Sequence, residues 1–541
     1  MWSQNYTPVA GSLGWSAAAA AFPVVALLYA IGVRRVAAWM AGLVGLAAAA
    51  AVALVVYRMP VELVASASLY GAAFGVFPIF WVIFWALVLY RITVDTGQFE
   101  ILRESIGHLT TDRGVQAVLI AFAFGAFLEG ASGFGTPVAV SAAILAGLGF
   151  PAFYASGICL LANTSPVAFG SIAIPLITLA ATTGLPLNDL SANVGRLSAP
   201  LSLIIPAYLI LVMNGLSGLR RVWPAVAVCG VAFASVQFAT SNFIGPYLTD
   251  ILSSLSAISA LVILLRFWKP QAEPTKSDSI ACAPSSPRRR AGLILRAWSP
   301  YFLLIGFIGV WSLTDVKNVL NLPSLTFRWP WLDGLVMQMP PVVAKPMAYA
   351  ALYRFRWLAE SGTACAFSSF AAAAVLGVSP ARLVWLIGQT ARQLALPLVS
   401  VASVLALAFL MNYCGATATL GLAFANTGVA FPFFSPLLGW LGVFLTGSDT
   451  SSNALFGNLQ HITALRLGLK PALMASANSV GGVTGKMISL QSIAVAAAAT
   501  HLPREDEPKL FRFTLRHSLF LAGLVGFLTL FYAYWAPELV R

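Results

Sequence analysis

Apolar stretches of about 20 residues, the length a helix needs to cross a hydrocarbon core of about 30 Å, recur along nearly all of this 541-residue chain. Only 9% of its residues are charged and 59% are hydrophobic, whereas a water-soluble domain carries roughly a quarter charged residues. A soluble fold is therefore excluded. The runs are rich in Ala, Leu, Val and Ile and lack the period-two alternation of a membrane barrel. Backbone groups in lipid must also be satisfied within each segment. The expectation is an all-α polytopic membrane protein.

Apolar runs at 16–33, 36–57 and 61–92 are followed by an amphipathic connector holding Arg103, Glu104, His108 and Arg113. From 114 to 184 the runs are interrupted by ASGFGTP, NTSP and IAIP, sequences that disfavour a continuous helix. Spans are expected again at 197–214, 222–241 and 244–266. Residues 267–297, rich in Pro, Ser, Lys and Arg, read as a flexible cytoplasmic linker. Beyond a span at 297–313 and a polar, Trp-containing stretch at 315–335, spans are expected at 335–356, 360–377, 380–412, 416–445 and 517–536. Interruptions return within 440–495. This amounts to about 12–14 transmembrane helices in two halves, 1–266 and 298–541.

The formal charge of +13 does not form one nucleic-acid-binding stripe. Arg34 and Arg35, Arg220 and Arg221, the series Arg266, Arg288, Arg289, Arg290 and Arg296, and the cluster Arg504, Lys509, Arg512 and Arg516 all stand at the ends of apolar runs. By the positive-inside rule they mark cytoplasmic turns, which places both termini outside. No basic segment precedes the first apolar run, so that span is expected to be retained rather than cleaved. Cys159, Cys229, Cys282, Cys365 and Cys414 lie singly, and His108, His461, His501 and His517 are scattered. No CxxC or HExxH pattern points to a metal, a cofactor or an intramembrane protease.

The two interrupted regions resemble each other. Phe127-Leu128-Glu129-Gly130 is followed by Gly149-Phe150-Pro151 and then Ala152-Phe153-Tyr154-Ala155-Ser156. Phe444-Leu445-Thr446-Gly447 is followed by Gly468-Leu469-Lys470-Pro471 and then Ala472-Leu473-Met474-Ala475-Ser476. Chance similarity in Ala- and Gly-rich sequence competes with this reading. Matching breaks in two halves are nevertheless the strongest sequence pointer to a transporter binding site, where broken helices aim their ends at the substrate.

Glu129 ends an apolar run just before the first glycine-rich break. A charge at a helix centre costs about 2.5–3.5 kcal/mol on insertion scales, and a helix C-terminus adds partial negative charge. Glu129 is thus a candidate proton carrier, with a structural ion pair as the plainer account. Gly133, Gly135 and Thr136 in GASGFGTP offer a turn whose free N–H groups suit an anion; close packing by small residues is the alternative. In TGSDTSSN, capping accounts for Ser448 or Asp449 but not for six polar residues. Thr450, Ser451, Ser452 and Asn453 suit a carboxylate and a 2-hydroxyl, and Asp449 a proton or cation. Asn163-Thr164-Ser165 adds further polar groups to the site. In NSVGGVTGKMISLQ, Asn478 and Gln491 flank a lone Lys486, whose partner is Asp449, Glu129 or a substrate anion. Arg392, beside Gln389 and Gln393, is a second anion contact unless it snorkels to the interface.

The strings FLEGASGFGTPVAV (127–140), GWLGVFLTGSDTSSNALFGNLQ (439–460) and NSVGGVTGKMISLQSIAVA (478–496), with LYGAAFGVFPIFWVIFWALVLYRITVDTGQFE (69–100), closely resemble segments of the bacterial L-lactate permease family. That resemblance implies an inner-membrane symporter that takes up L-lactate, D-lactate or glycolate with protons. Cys414 and Leu490 stand where the family usually has serine and proline, which bears on substrate preference because a thiol is a weak hydrogen-bond donor. The partners implied are a small monocarboxylate, protons and membrane lipid, with no nucleic acid and no cofactor. A sodium-coupled carboxylate symporter and a passive anion channel are the alternatives, and an intramembrane enzyme lacks any nucleophile and base pair.

Overall fold

Residues 1–107, 109–133, 135–270 and 291–541 are described by a computed structural model. His108, Cys282, Arg288, Arg289, Arg290 and most of the expected linker lie outside the described residues. A short strand, β1 (Trp2–Ser3), precedes α1 (Leu13–Gly32), α2 (Ala38–Val55), the long kinked α3 (Val61–Asp95) and the connector α4 (Gln98–Gly107). There follow α5 (Arg113–Ala131), α6 (Thr136–Gly147), α7 (Ala152–Ala162), α8 (Gly170–Thr183), α9 (Leu187–Ala239) and α10 (Thr249–Phe267). The second half comprises α11 (Ala291–Ser312), α12 (Thr314–Asn321), β2 (Leu325–Arg328), β3 (Val336–Gln338), β4 (Met347–Ala348), β5 (Leu352–Phe355), α13 (Ser361–Leu376) and α14 (Pro380–Cys414). It continues through α15 (Ala416–Phe424), α16 (Phe431–Thr446), α17 (Asp449–Leu467), α18 (Pro471–Lys486), α19 (Leu490–Thr500) and α20 (Glu507–Tyr534).

Eleven helices among the described residues are long and apolar enough to cross a membrane, or up to 12 if the bent pair around residues 163–166 is one span. The run Leu187–Ile244 is counted once although it has 58 residues, and Gly215 leaves the helical conformation within it. The chain is thus an all-α, multi-pass membrane protein with broken helices. The expected span at 335–356 is not a helix. It forms β3, β4 and β5, with β5 antiparallel to β2 and β3 flanked by β1 and β4. The reason is local: Pro340, Pro341 and Pro346 each remove a backbone donor and break any helix begun there.

Both termini lie at one face. Gln4 and Tyr6 line a cavity of about 670 Å³ together with Met339 and Arg466, while Lys470 Nζ donates to the carbonyls of Pro537 and Val540 at 2.8 and 2.6 Å. Arg35 and Arg504 meet at the opposite end of α1, where they line a second cavity. Elements far apart in sequence pack together. Helix α8 packs along α17, whereas α19 packs along α6 and α7. Ser156 on α7 shares a 2.8 Å hydrogen bond with Thr500 of α19, and Ser476 on α18 donates to the Leu190 carbonyl of α9 at 3.3 Å. These are the two serines of the matching Ala-Ser segments, each bonded to an element far away in sequence.

Candidate functional site

The first break follows from its glycines. Helix α5 ends at Ala131, and Gly133 (φ +59°) and Gly135 (φ +80°) take the left-handed backbone that reverses the chain into α6. Thr136 opens α6, with Pro137 in its first turn, where a missing N–H costs nothing. A further break lies between α7 and α8. There the amide atoms of Asn163 and the hydroxyl of Thr164 are buried without a partner among the described residues. Ser171, Ile172 and Ala173 make a left-handed turn (φ +46°, +57° and +62°). Left-handed geometry costs about 1–2 kcal/mol for each such residue, and strain of this kind gathers at functional sites. Ser171 Oγ donates to the Ser132 carbonyl at 3.1 Å, joining these two breaks.

At TGSDTSSN the chain leaves helical geometry at Gly447 and Ser448, a shorter gap than the sequence implied. Ser448 caps α17, its hydroxyl accepting from the Ser451 N–H at 3.2 Å. Asp449 to Asn453 are therefore helical. Nor is the glycine-rich stretch from 478 interrupted: α18 continues to Lys486, and the break is 487–489. Gly481 and Gly485 face the carbonyls of Pro436 and Trp440 on α16, where an added Cβ would lie 2.0 and 2.4 Å from oxygen. Their role is close helix packing.

The polar residues expected at the site divide into two groups. Ser452 donates to the Gly439 carbonyl at 3.1 Å. Asn453 donates to the Pro175 carbonyl and to Ser479, both at 3.1 Å, and accepts from Asn478 at 2.9 Å. With Ser448 they are committed to holding the fold around Asp449. In contrast, the hydroxyls of Thr136, Thr450 and Ser451 make no hydrogen bond among the described residues and are only half-buried. Gln491 is exposed to the cavity at the second break, which has a volume of about 1120 Å³ and runs from Arg35 and Arg504 to Thr446, Gly447 and Ser489. Arg392 is exposed, and Gln389 and Gln393 are turned to Arg91 instead.

At the centre, Lys486 Nζ lies 2.8 Å from Glu129 Oε1, with the side chains 12% and 4% exposed. The pair ties the end of α18 to the end of α5. An added Cβ on Gly170 would stand 2.6 Å from the same Glu129 oxygen, so only glycine lets α8 approach the pair. Glu129 Oε2 has no hydrogen-bond partner among the described residues. Asp449 Oδ2 accepts from Ser479 Oγ at 2.6 Å and from Asn453 Nδ2 at 3.3 Å, and Oδ1 has no partner among the described residues. A third acid, Asp250 in the first turn of α10, lies beside Gly130; both its oxygens are buried and have no hydrogen-bond partner among the described residues. Sequence reading passed over Asp250 because an acid in a first turn is ordinary helix chemistry. Its position opening an apolar run was the only available signal.

The breaks face one another through α19. Gly135 stands about 3.7 Å from Val495, and Gly447 stands against Gln491, by the contacts an added Cβ would make. Four helical residues span about 6 Å, so Gly135 and Gly447 meet the same stretch of α19. The arrangement supplies one buried ammonium, free hydroxyl donors and three acids, which suits capture of a small anion.

The L-lactate permease family model matches residues 16–536. The chain is 46% identical to the L-lactate permease of Bacillus subtilis (strain 168), over 98% of each chain. It is 42% identical to the glycolate permease GlcA of Escherichia coli (strain K12), again over 98% of each. Among solved structures, the YdaH transporter of Alcanivorax borkumensis overlays with a TM-score of 0.47 at 13% identity, covering 89% of each chain, a likeness too loose to carry argument. With the family match extending over nearly the whole chain and through every break around Lys486, this protein belongs to the L-lactate permease family.

Proposed function

We propose that the protein carries small 2-hydroxy monocarboxylates, L-lactate foremost and D-lactate or glycolate as relatives of it, across the inner membrane together with protons. The observation that carries this reading is the buried Lys486 between two helix breaks, with the free hydroxyls of Thr136, Thr450 and Ser451 and the amide of Gln491 on the same helix ends. An ammonium and several neutral donors match a carboxylate with an adjacent hydroxyl. Gly135 adds a backbone N–H group, whereas that of Gly133, expected to be free, donates to the Leu128 carbonyl at 3.2 Å; Ser448, Ser452, Asn453 and Asn478 hold Asp449 and α17 in place. The acids around Lys486, Glu129 and Asp449 among them, are the groups through which protons couple to the anion. In this reading the Arg35 and Arg504 face is cytoplasmic, both termini are outside, and residues 1–266 and 298–541 form two related halves joined by a cytoplasmic linker.

The test is uptake of labelled L-lactate into proteoliposomes under an imposed proton gradient, with and without sodium. Accumulation driven by protons in sodium-free medium is expected. Accumulation that needs sodium would replace the coupling ion, and flux without saturable counterflow would replace the carrier with a channel. Competition by D-lactate, glycolate and pyruvate ranks the substrates.

A further inference from the structure

Among the described residues, Lys486 is the ammonium at the centre of three buried acids, and the three are not equivalent. Glu129 has Lys486 at 2.8 Å. Asp449 is solvated as a carboxylate by Ser479 and Asn453 in the first turn of α17, where the helix N-terminus favours negative charge. Asp250 has neither. It is 1% exposed, and neither oxygen accepts a hydrogen bond from any described residue. It does not cap α10, since a capping carboxylate would accept from a first-turn N–H. A bare carboxylate in that position forfeits its hydration with nothing in exchange, whereas the neutral acid does not.

We propose that Asp250 holds the proton that crosses with the substrate, through competition for Lys486. This rests on the proton-coupled reading above. Lys486 can neutralise the substrate carboxylate or help neutralise the Glu129 and Asp250 carboxylates, but it cannot do both. A proton on Asp250 releases Lys486 to the anion; when the anion leaves, Asp250 gives up its proton, and Lys486 serves both acids. One monoanion and one proton therefore move together with no net charge. The charged groups acting on Asp250 are Glu129 on α5 and Lys486 on α18. The part of α5 from Val118 to Phe124 and the turn Thr240–Ile244, both packed on α10, carry no titratable side chain. On α9, also packed on α10, Arg196 bonds Asn242 at 2.9 Å and Arg221 pairs with Asp112 at 3.3 Å. Asp189 stands in the first turn of the same helix and Arg220 just beyond its kink at Gly215; Tyr208 shares a 2.6 Å hydrogen bond with His517, and Cys229 is buried.

The experiment compares the wild type with D250N and D250E in proteoliposomes, measuring accumulation under a proton gradient and counterflow of labelled lactate. D250N is expected to lose accumulation above equilibrium, with a much smaller loss of counterflow, because an amide leaves Lys486 permanently available to the anion. D250E is expected to restore part of the accumulation. Wild-type accumulation by D250N overturns the assignment while leaving proton-coupled transport intact. A wild type that does not respond to the proton gradient defeats the coupling reading itself, whatever D250N does. Should D250N fail to fold, infrared spectra of purified wild type and D250E decide. The protonated-carboxyl stretching band is expected to shift between them, and an unchanged band refutes the proposal.

Discussion

Separating Lys486 from Glu129 gives the most direct measure of how the site is built. Coulomb's law at an effective dielectric constant of about 20 gives about 6 kcal/mol for opposite charges at 2.8 Å. Desolvation of two nearly buried groups takes back much of that, and losing one member of a buried pair costs about 3–5 kcal/mol. K486M leaves Glu129 with no partner on either oxygen, since Oε2 already lacks one. E129Q leaves a buried ammonium facing an amide. Each single variant is expected to lose about 3–5 kcal/mol of stability, and E129Q/K486M to recover most of it, because neutral groups of similar volume often replace a buried ion pair at little cost. The four proteins are compared by unfolding in mixed micelles with increasing SDS, and the interaction energy of the double-mutant cycle is expected near 3 kcal/mol or above. Saturating lactate should reduce it, because the substrate carboxylate competes for the ammonium. Additivity of the two single variants within about 0.5 kcal/mol would refute the view that this pair joins the two breaks.

Two further outcomes follow from the same geometry. G170A sets a methyl group 2.6 Å from Glu129 Oε1 and 3.0 Å from its Cγ; it should lose about 1–3 kcal/mol through overpacking and most lactate uptake, and a wild-type melting curve with normal uptake would contradict the close approach of α8. T136A, T450A and S451A, which remove hydroxyls free to bind substrate, should each raise the KM for lactate about two- to tenfold, the range set by a neutral hydrogen bond. N453A and N478A should instead destabilise by about 1–3 kcal/mol by orphaning buried partners, and the reverse pattern in paired melting and uptake measurements would mean that the two groups of residues have been exchanged.

The breaks were legible in the sequence because they are made of residues with hard backbone rules: Gly133, Gly135 and Pro137 at one, Gly447 and the capping Ser448 at the other. Lys486 was legible because a lone ammonium in apolar sequence has to find a partner, although three partners fitted equally well until α5 and α18 were seen to end together. What failed did so for identifiable reasons. Hydrophobicity alone suggested a span at 335–356, and the three prolines there outweigh it. The glycines around Gly481 looked like an interruption, but a glycine that admits the backbone of a second helix is compatible with a straight one. In TGSDTSSN, composition could not separate Asn453 and Ser452, whose donors are used by the fold, from Thr450 and Ser451, whose donors are not; that difference depends on which way each side chain faces once α16 and α18 are packed. The packing of α8 on α17 and of α19 on α6 and α7 was not legible, because no local rule says which distant helix a short helix will pack against.

That packing bears on why the site is one unit rather than two. Glu129 comes from α5 and Asp250 from α10, whereas Lys486 and Asp449 come from α18 and α17, far away in sequence, so Glu129 has its counter-charge only while the ends of α5 and α18 are together. The helix that closes the second break, α19, rests on α6 and α7 of the first half, and α8 of the first half rests on α17 of the second. A displacement of either half's broken helices therefore moves one member of the Lys486–Glu129 pair relative to the other, and the field felt by Asp250 changes with it. Because a buried charge tolerates little mismatch in its surroundings, the energy of moving these helices depends on whether Lys486 faces a carboxylate of the protein or one of the substrate. In our reading, that dependence makes a proton and an anion cross together, and it needs no ionisable group beyond the four already at the breaks.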